Sequence, residues 1–253
     1  MTLVFYKIIA AILIFLVGLA TVIYPLKKKT ALKHTESFEL GEALASGIFL
    51  GAAFFHMLPD AIKTFSELYG HLDYTIPEAI CVGGFLLLLF LERISIVRTS
   101  LQSQHTVPYI LAIILIIHAI TEGAALGIGT TLSETFMLLI AILAHKGSES
   151  FALCITLLKH QLPFNRILLI IILFALMTPL GIFLGTTIHF LTFANHGKLI
   201  AGIFNAFAAG TFLYISTLHH IHFHQHAKDT RGLLEFASLV IGLVTMGVIA
   251  LWA

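Results

Sequence analysis

The charges of this chain are gathered into short clusters, and the stretches between them are apolar and long enough to cross a lipid bilayer. That distribution constrains the fold more than any single motif. Spanning about 30 Å of hydrocarbon takes about 20 residues of helix, so eight or nine spans fit into 253 residues. Asp, Glu, Lys and Arg make up 11% of the chain, against about 25% in a soluble domain, too few to coat a water-facing surface. The expected class is an all-α integral membrane protein. Apolar runs place eight transmembrane helices at approximately 3–24, 39–60, 78–98, 107–129, 135–158, 166–192, 199–221 and 232–253, read as one transmembrane unit over 1–253 with no soluble domain. The first run has a long apolar core and is followed by Lys27, Lys28 and Lys29, which suits a retained helix rather than a cleaved leader.

Basic residues set the expected orientation. Lys27, Lys28, Lys29, Lys33, Arg93, Arg98, Lys159, Arg166, Lys228 and Arg231 fall in alternate loops, whereas the opposite segments hold only Lys7, Lys63 and Lys198. The rich side is the inner one, so both termini are expected outside, in an extracellular, periplasmic or organelle-lumen space, with a plasma or bacterial inner membrane as the setting. Lys plus Arg (14) nearly balance Asp plus Glu (13), so nothing points to nucleic acid. Cys81 and Cys154 lie in apolar runs and make neither a disulfide framework nor a metal knuckle.

An internal repeat is visible. Ala45-Ser-Gly47-Ile-Phe49-Leu50, followed by His56, recurs 163 residues later as Ala208-Ala-Gly210-Thr-Phe212-Leu213, followed by His219. The second and seventh helices run in opposite directions, so the repeat is inverted in the membrane, a pattern common in secondary transporters. Gly47-x3-Gly51, Gly123-x3-Gly127 and Gly181-x3-Gly185 further mark faces where helices can approach closely.

Ionisable side chains at membrane depth cost about 2.5–3.5 kcal/mol each on insertion scales, so their placement is informative. His118 and Glu122 lie four apart in the fourth helix, and His145 and Glu149 four apart in the fifth, with Lys146 beside them. Residues four apart share a helix face. Both pairs fall near mid-span, so two antiparallel helices would offer two imidazoles and two carboxylates to one point. That donor set suits Zn²⁺, Fe²⁺ or Mn²⁺. At the outer end of helix two, His56 and Asp60 are again four apart and read either as an entrance site or as a polar helix end beside the helix breaker Pro59. His219, His220, His222, His224 and His226 read as an exit site or as a solvated tail.

These residues carry a family resemblance. The chain resembles the ZIP (Zrt/Irt-like) metal transporters, and within them the group with His-Lys in the fifth helix. The resemblance rests on His118-Ala-Ile-Thr-Glu122-Gly123-Ala-Ala-Leu-Gly127, His145-Lys146-Gly147-Ser-Glu149, His56-Met-Leu-Pro59-Asp60, Met177-Thr-Pro179-Leu-Gly181 and Ala209-Gly210-Thr211-Phe212-Leu213-Tyr214. It implies a 3+2+3 arrangement of eight helices, a metal site between helices four and five, and import toward the cytosol. Zn²⁺ would be the substrate, with Fe²⁺, Mn²⁺ or Cd²⁺ as other options, and no organic cofactor. Partners would be divalent ions, the bilayer and, as an option, a second copy in a homodimer. The chain departs from many relatives at Ala119, at Lys146 where an acid supports a second ion, at His219 or His220 in place of a helix-seven Glu, and in its short 99–106 loop. Lys146 therefore reads as a modulator that excludes a second metal, or else as a residue that stabilises the bundle or snorkels to an interface. The competing reading of the same donors is an intramembrane zinc-dependent hydrolase with Glu122 or Glu149 as general base. No GxxxxGK[ST] motif is present to drive transport by nucleotide.

Overall fold

The computed structural model describes residues 2–28, 36–70, 74–99, 106–191, 194–219 and 230–251. Within them all regular structure is helical and falls into eight rods. α1 runs Thr2–Ala20 and resumes as Ile23–Lys27; α2 comprises Glu36–Ala52, a π-helical turn Ala53–Met57, and Leu58–Tyr69; α3 is Ile76–Thr99 and α4 Thr106–Ile128. α5 spans Leu132–Lys159 and α6 Phe164–Leu191; α7 joins Ala194–Tyr214 to a second π-helical turn, Ile215–His219; α8 is Thr230–Ile249. Seven rods contain a stretch long and apolar enough to cross a bilayer. α3 has an apolar interior bounded by Glu78 at one end and Glu92 and Arg93 at the other. Phe5, Phe90, Phe183 and Leu233 point outward from α1, α3, α6 and α8, a surface that would be costly in water and is the solvated one in lipid.

Two local departures from the sequence expectation have physical causes. Pro59 does not end α2, which continues to Tyr69. The Leu58 N–H reaches back five residues to the Ala53 carbonyl, so the wider turn absorbs the register change and Pro59 falls in the first turn after it, where a missing N–H costs nothing. α5 begins at Leu132 rather than 135, because Thr131 is its N-cap: the Glu134 N–H donates to Thr131 Oγ1 at 3.2 Å and the Thr130 N–H to Glu134 Oε2 at 3.0 Å. Thr131-Leu-Ser-Glu134 is a capping-box sequence.

The rods pack as two groups. α4 lies along α6, and α1 along α5 and α6; α2 lies along α8, and α3 along α7. The α4–α6 contact is backbone on backbone: a Cβ on Gly123 would strike the Thr178 carbonyl, and one on Gly181 the Ile120 carbonyl. Without a hydrophobic drive between helices in lipid, such close approach supplies the dispersion energy that holds them.

The same contacts reveal the inverted repeat in three dimensions. A Cβ on Gly47 of α2 would meet Leu239 of α8, and one on Gly210 of α7 would meet Cys81 of α3; likewise Gly242 faces Leu44, and Gly84 faces Phe207. Adding 163 carries 47 to 210 and 44 to 207, while adding 158 carries 81 to 239 and 84 to 242. The α2–α8 and α3–α7 interfaces are thus one interface built twice.

Neighbouring glycines in α3 give a test. A Cβ on Gly84 would press on the Phe207 carbonyl, while Gly83 has nothing within 4 Å. Gly84→Ala is expected to lower stability by about 1–3 kcal/mol through overpacking, and Gly83→Ala to leave it unchanged or raise it by up to about 1 kcal/mol through helix propensity. Unfolding midpoints of the two variants in detergent should separate accordingly, and equal midpoints would contradict the α3–α7 packing.

Candidate metal centre

The centre is built where α4 and α5 cross. Mid-span, α4 presents His118 and Glu122, and α5 presents His145, Lys146 and Glu149, all of them buried. His145 Nε2 lies 2.5 Å from Glu122 Oε1, and His118 Nε2 lies 3.1 Å from Glu149 Oε1. Along α4 itself the His118–Glu122 separation is 3.9 Å. The close pairs therefore cross between helices instead of running along each one, as the i, i+4 spacing alone would suggest. Adding 27 carries 118 to 145 and 122 to 149, so the two crossed pairs are images of each other, and the repeat axis passes through the centre.

Each carboxylate divides its oxygens. The Oε1 atoms face the imidazoles, and the Oε2 atoms face Lys146, whose Nζ stands 3.1 Å from Glu149 and 3.9 Å from Glu122. The ammonium also sits 3.9 Å above the Phe174 ring. It reaches no interface: its fractional exposure is 0%. A buried ammonium needs this kind of enclosure by charge and π-density, since otherwise desolvation would neutralise it.

The donor set fits a divalent cation. Ligand atoms of His118, Glu122 and His145 all lie within 4.8 Å of one another. His118 Nε2 and Glu149 Oε1, although close, are not aligned as a hydrogen bond, and Glu122 Oε2 and His145 Nδ1 also lack an aligned partner. Buried polar atoms are satisfied as a rule, so a cluster with this much unused lone-pair capacity is suited to coordination.

His56 lies nearer to this centre than its position at a helix end suggests. Its ring centroid is 6.3 Å from that of His145, and its Nδ1 is 3.2 Å from Asp60 Oδ2. His56 belongs to the π-helical turn, and such turns redirect side chains at functional sites. From it a cavity of about 400 Å³ runs past Asp60, Ala125, Ala201 and Asn205 to one face of the molecule. Glu67 and Glu134 also line this cavity; no spacing along the chain groups them with His56. Lys7, counted in the sequence only as an outer charge, is buried and donates to the Gly127 and Gly129 carbonyls at 2.6 and 2.9 Å, closing the C-terminal end of α4 beside the cavity. Toward the opposite ends of α2 and α5, Lys159 and Glu42 form an ion pair at 2.6 Å, with the Phe151 ring packed over Gly41. His219 lies in the π-helical turn of α7, while His220, His222, His224 and His226 lie outside the described residues.

The family model described as "ZIP Zinc transporter" matches residues 4–99 and 95–250. The chain is 28% identical over 261 residues to "Zinc transporter ZIP1" of Takifugu rubripes, covering 86% of each protein. It is 25% identical over 270 residues to human "Zinc transporter ZIP2", covering 87% of each. With "Protein zntD" of Dictyostelium discoideum it shares 32% identity over 165 residues, 64% of this chain and 24% of that one.

The enclosure of Lys146 can be tested by itself. Lys146→Met leaves two buried carboxylates without their cation and is expected to cost about 3–5 kcal/mol, read as a lower unfolding midpoint of the metal-free protein, with Lys146→Arg intermediate. A midpoint equal to wild type in Lys146→Met would show that the carboxylates do not depend on the ammonium.

Proposed function

The chain belongs to the ZIP zinc transporter family, and from that premise we propose that it imports Zn²⁺ toward the cytosol through the α4–α5 centre by alternating access. As a member it is an integral membrane protein that transports metal and is not an enzyme. The observation that carries the finer reading is the crossed His–Glu geometry with unaligned lone pairs at mid-span. His118, Glu122, His145 and Glu149 act as the ligands. Two carboxylates offset part of the hydration a divalent ion loses on leaving water, and two imidazoles favour a borderline metal over Mg²⁺ or Ca²⁺. Fe²⁺, Mn²⁺ and Cd²⁺ meet the same donors.

Metal enters past Asp60 and His56, whose cavity reaches the His56 ring 6.3 Å from that of His145, and leaves past His219, His220, His222, His224 and His226. Both termini are outside, as the basic inner loops require. Alternating access draws support from the doubled α2–α8 and α3–α7 interfaces, because a structure assembled from inverted repeats has a second arrangement in which the roles of the repeats are exchanged.

Lys146 limits the centre to one ion. With Glu122 and Glu149 ionised, the three side chains sum to −1; one divalent ion brings the centre to +1 and a second would bring it to +3. At about 4 Å from the first ion and from the ammonium, that second charge is strongly repelled. An ammonium also has no lone pair to offer.

Uptake of Zn²⁺ into proteoliposomes tests the reading. His118→Ala and Glu149→Ala are expected to lower uptake about tenfold or more, and accumulation unaffected by either would remove the centre from the route. Metal counted on purified protein, with the inner histidines replaced, is expected to rise from one ion in wild type to two in Lys146→Asp; two central ions in wild type would overturn the role given to Lys146. Replacing the five inner histidines together is expected to slow uptake while equilibrium affinity at the centre stays within a few-fold, because His219 ends α7, a different rod from the two that carry the four ligands. An affinity loss as large as that of His118→Ala would misplace the exit.

A further inference from the structure

Phe49 on α2 and Phe212 on α7 are both completely buried, with ring centroids 4.9 Å apart. They are repeat images of each other, since 49 plus 163 is 212, the offset that also relates Gly47 to Gly210. Two images that touch each other must sit on the axis relating them. Each is also seven residues, about two helical turns or 10 Å, from its own repeat histidine: Phe49 from His56, Phe212 from His219.

Their surroundings are not equivalent. Phe212 packs against the centre, its centroid 4.8 Å from His118 and 6.2 Å from His145, the latter edge-on. Phe49 has Phe212 as its aromatic neighbour and, among the described residues, neither histidine of the centre. The asymmetry extends to a second pair of images. Asn205 lines the open cavity, whereas its image, Glu42 (205 less 163), is paired with Lys159. Among the described residues the two images thus have different surroundings, although the repeats that carry them are matched.

The axis carries His118 to His145 and Phe212 to Phe49. The present His118–Phe212 contact therefore has an image, His145 on Phe49, that this state does not contain. We propose that Phe49 and Phe212 are alternative seats for the metal centre: Phe212 holds the His118 side in the state open at the His56 face, and Phe49 holds the His145 side in the state open at the opposite face. The inference rests on the alternating-access reading above and adds the positioning residues that define its two ends. An imidazole against an aromatic ring is fixed in rotamer as well as packed, so each seat holds a ligand aimed at the shared point. Beyond the ligands the paired rings offer an ion no donor atom, which separates the centre from the shut face in either state.

A seat occupied in only one state biases the equilibrium when removed, and the two removals act in opposite directions. Ala125 lines the open cavity, and its image Ala152 (125 plus 27) is 1% exposed. Thiol reporters Ala125→Cys and Ala152→Cys, each in a Cys81→Ala, Cys154→Ala background, are labelled with a maleimide in nanodiscs without metal. Phe212→Ala is expected to slow labelling at 125 and speed it at 152, by about three- to tenfold, the worth of one aromatic contact; Phe49→Ala is expected to do the reverse. Phe212→Leu and Phe49→Leu, which keep apolar bulk but lose the ring face, carry the same signs if an alanine variant does not assemble. Loosening of a merely structural core would speed labelling at both positions in both variants, and that result, or no change, overturns the proposal. Labelling does not depend on transport: wild type that fails to accumulate Zn²⁺ would refute the transport reading, while accumulation by wild type without opposite labelling shifts would refute the seats alone.

Discussion

Polar and ionisable groups in a bilayer core have no water to turn to, and the architecture depends on how five of them satisfy one another. Glu122 and Glu149 each direct one oxygen to an imidazole of the other helix and one toward Lys146. Removing any member leaves a charge whose solvation exists nowhere else in the fold. α4 and α5 must therefore cross at one depth and in one register. Phe174 on α6 lies under the ammonium, which ties a third rod to the same point.

Holding that register falls to small side chains. Hydrogen bonding inside each rod is complete without its neighbours, and lipid gives no solvent-driven reason for rods to associate. Contact between backbones at Gly123 and Gly181 locks α4 to α6, and the matched pairs at Gly47 and Gly210 lock α2 to α8 and α3 to α7. Lys7 adds a fastening of another kind, an ammonium of α1 on the terminal carbonyls of α4.

Much of this was legible in the sequence, for reasons that also explain what was not. Apolar runs and charge clusters expose the rods because the bilayer imposes length and composition together. The His-x3-Glu spacing exposes the centre because four residues is a helix repeat. That spacing describes one helix at a time, however, and the pairing of His145 with Glu122 and of His118 with Glu149 depends on how two helices cross. The depth of His56 was hidden because Ala53–Met57 gives no compositional sign of its wider turn, and Pro59 reads as a terminator unless that turn is known. Lys7 was hidden because its partners are backbone carbonyls 120 and 122 residues away, which no motif records. The N-cap of α5 was missed as well, although Thr131-Leu-Ser-Glu134 carries the capping-box pattern.

On the proposed one-ion cycle, a cation at residue 146 has an electrical consequence. Without it, two carboxylates and one divalent ion would cancel, so a membrane potential would act on the empty centre and not on the loaded one. With it, a centre that takes the single ion proposed above would carry charges of equal size and opposite sign when loaded and when empty. In the import cycle proposed above, a potential negative inside would assist both legs, drawing the loaded centre inward and the empty one outward, with about 2.3 kcal/mol per 100 mV on each leg for a full crossing of the field. Lys146 would thus leave the net charge moved per ion unchanged at two, but divide the voltage dependence evenly between delivery and return.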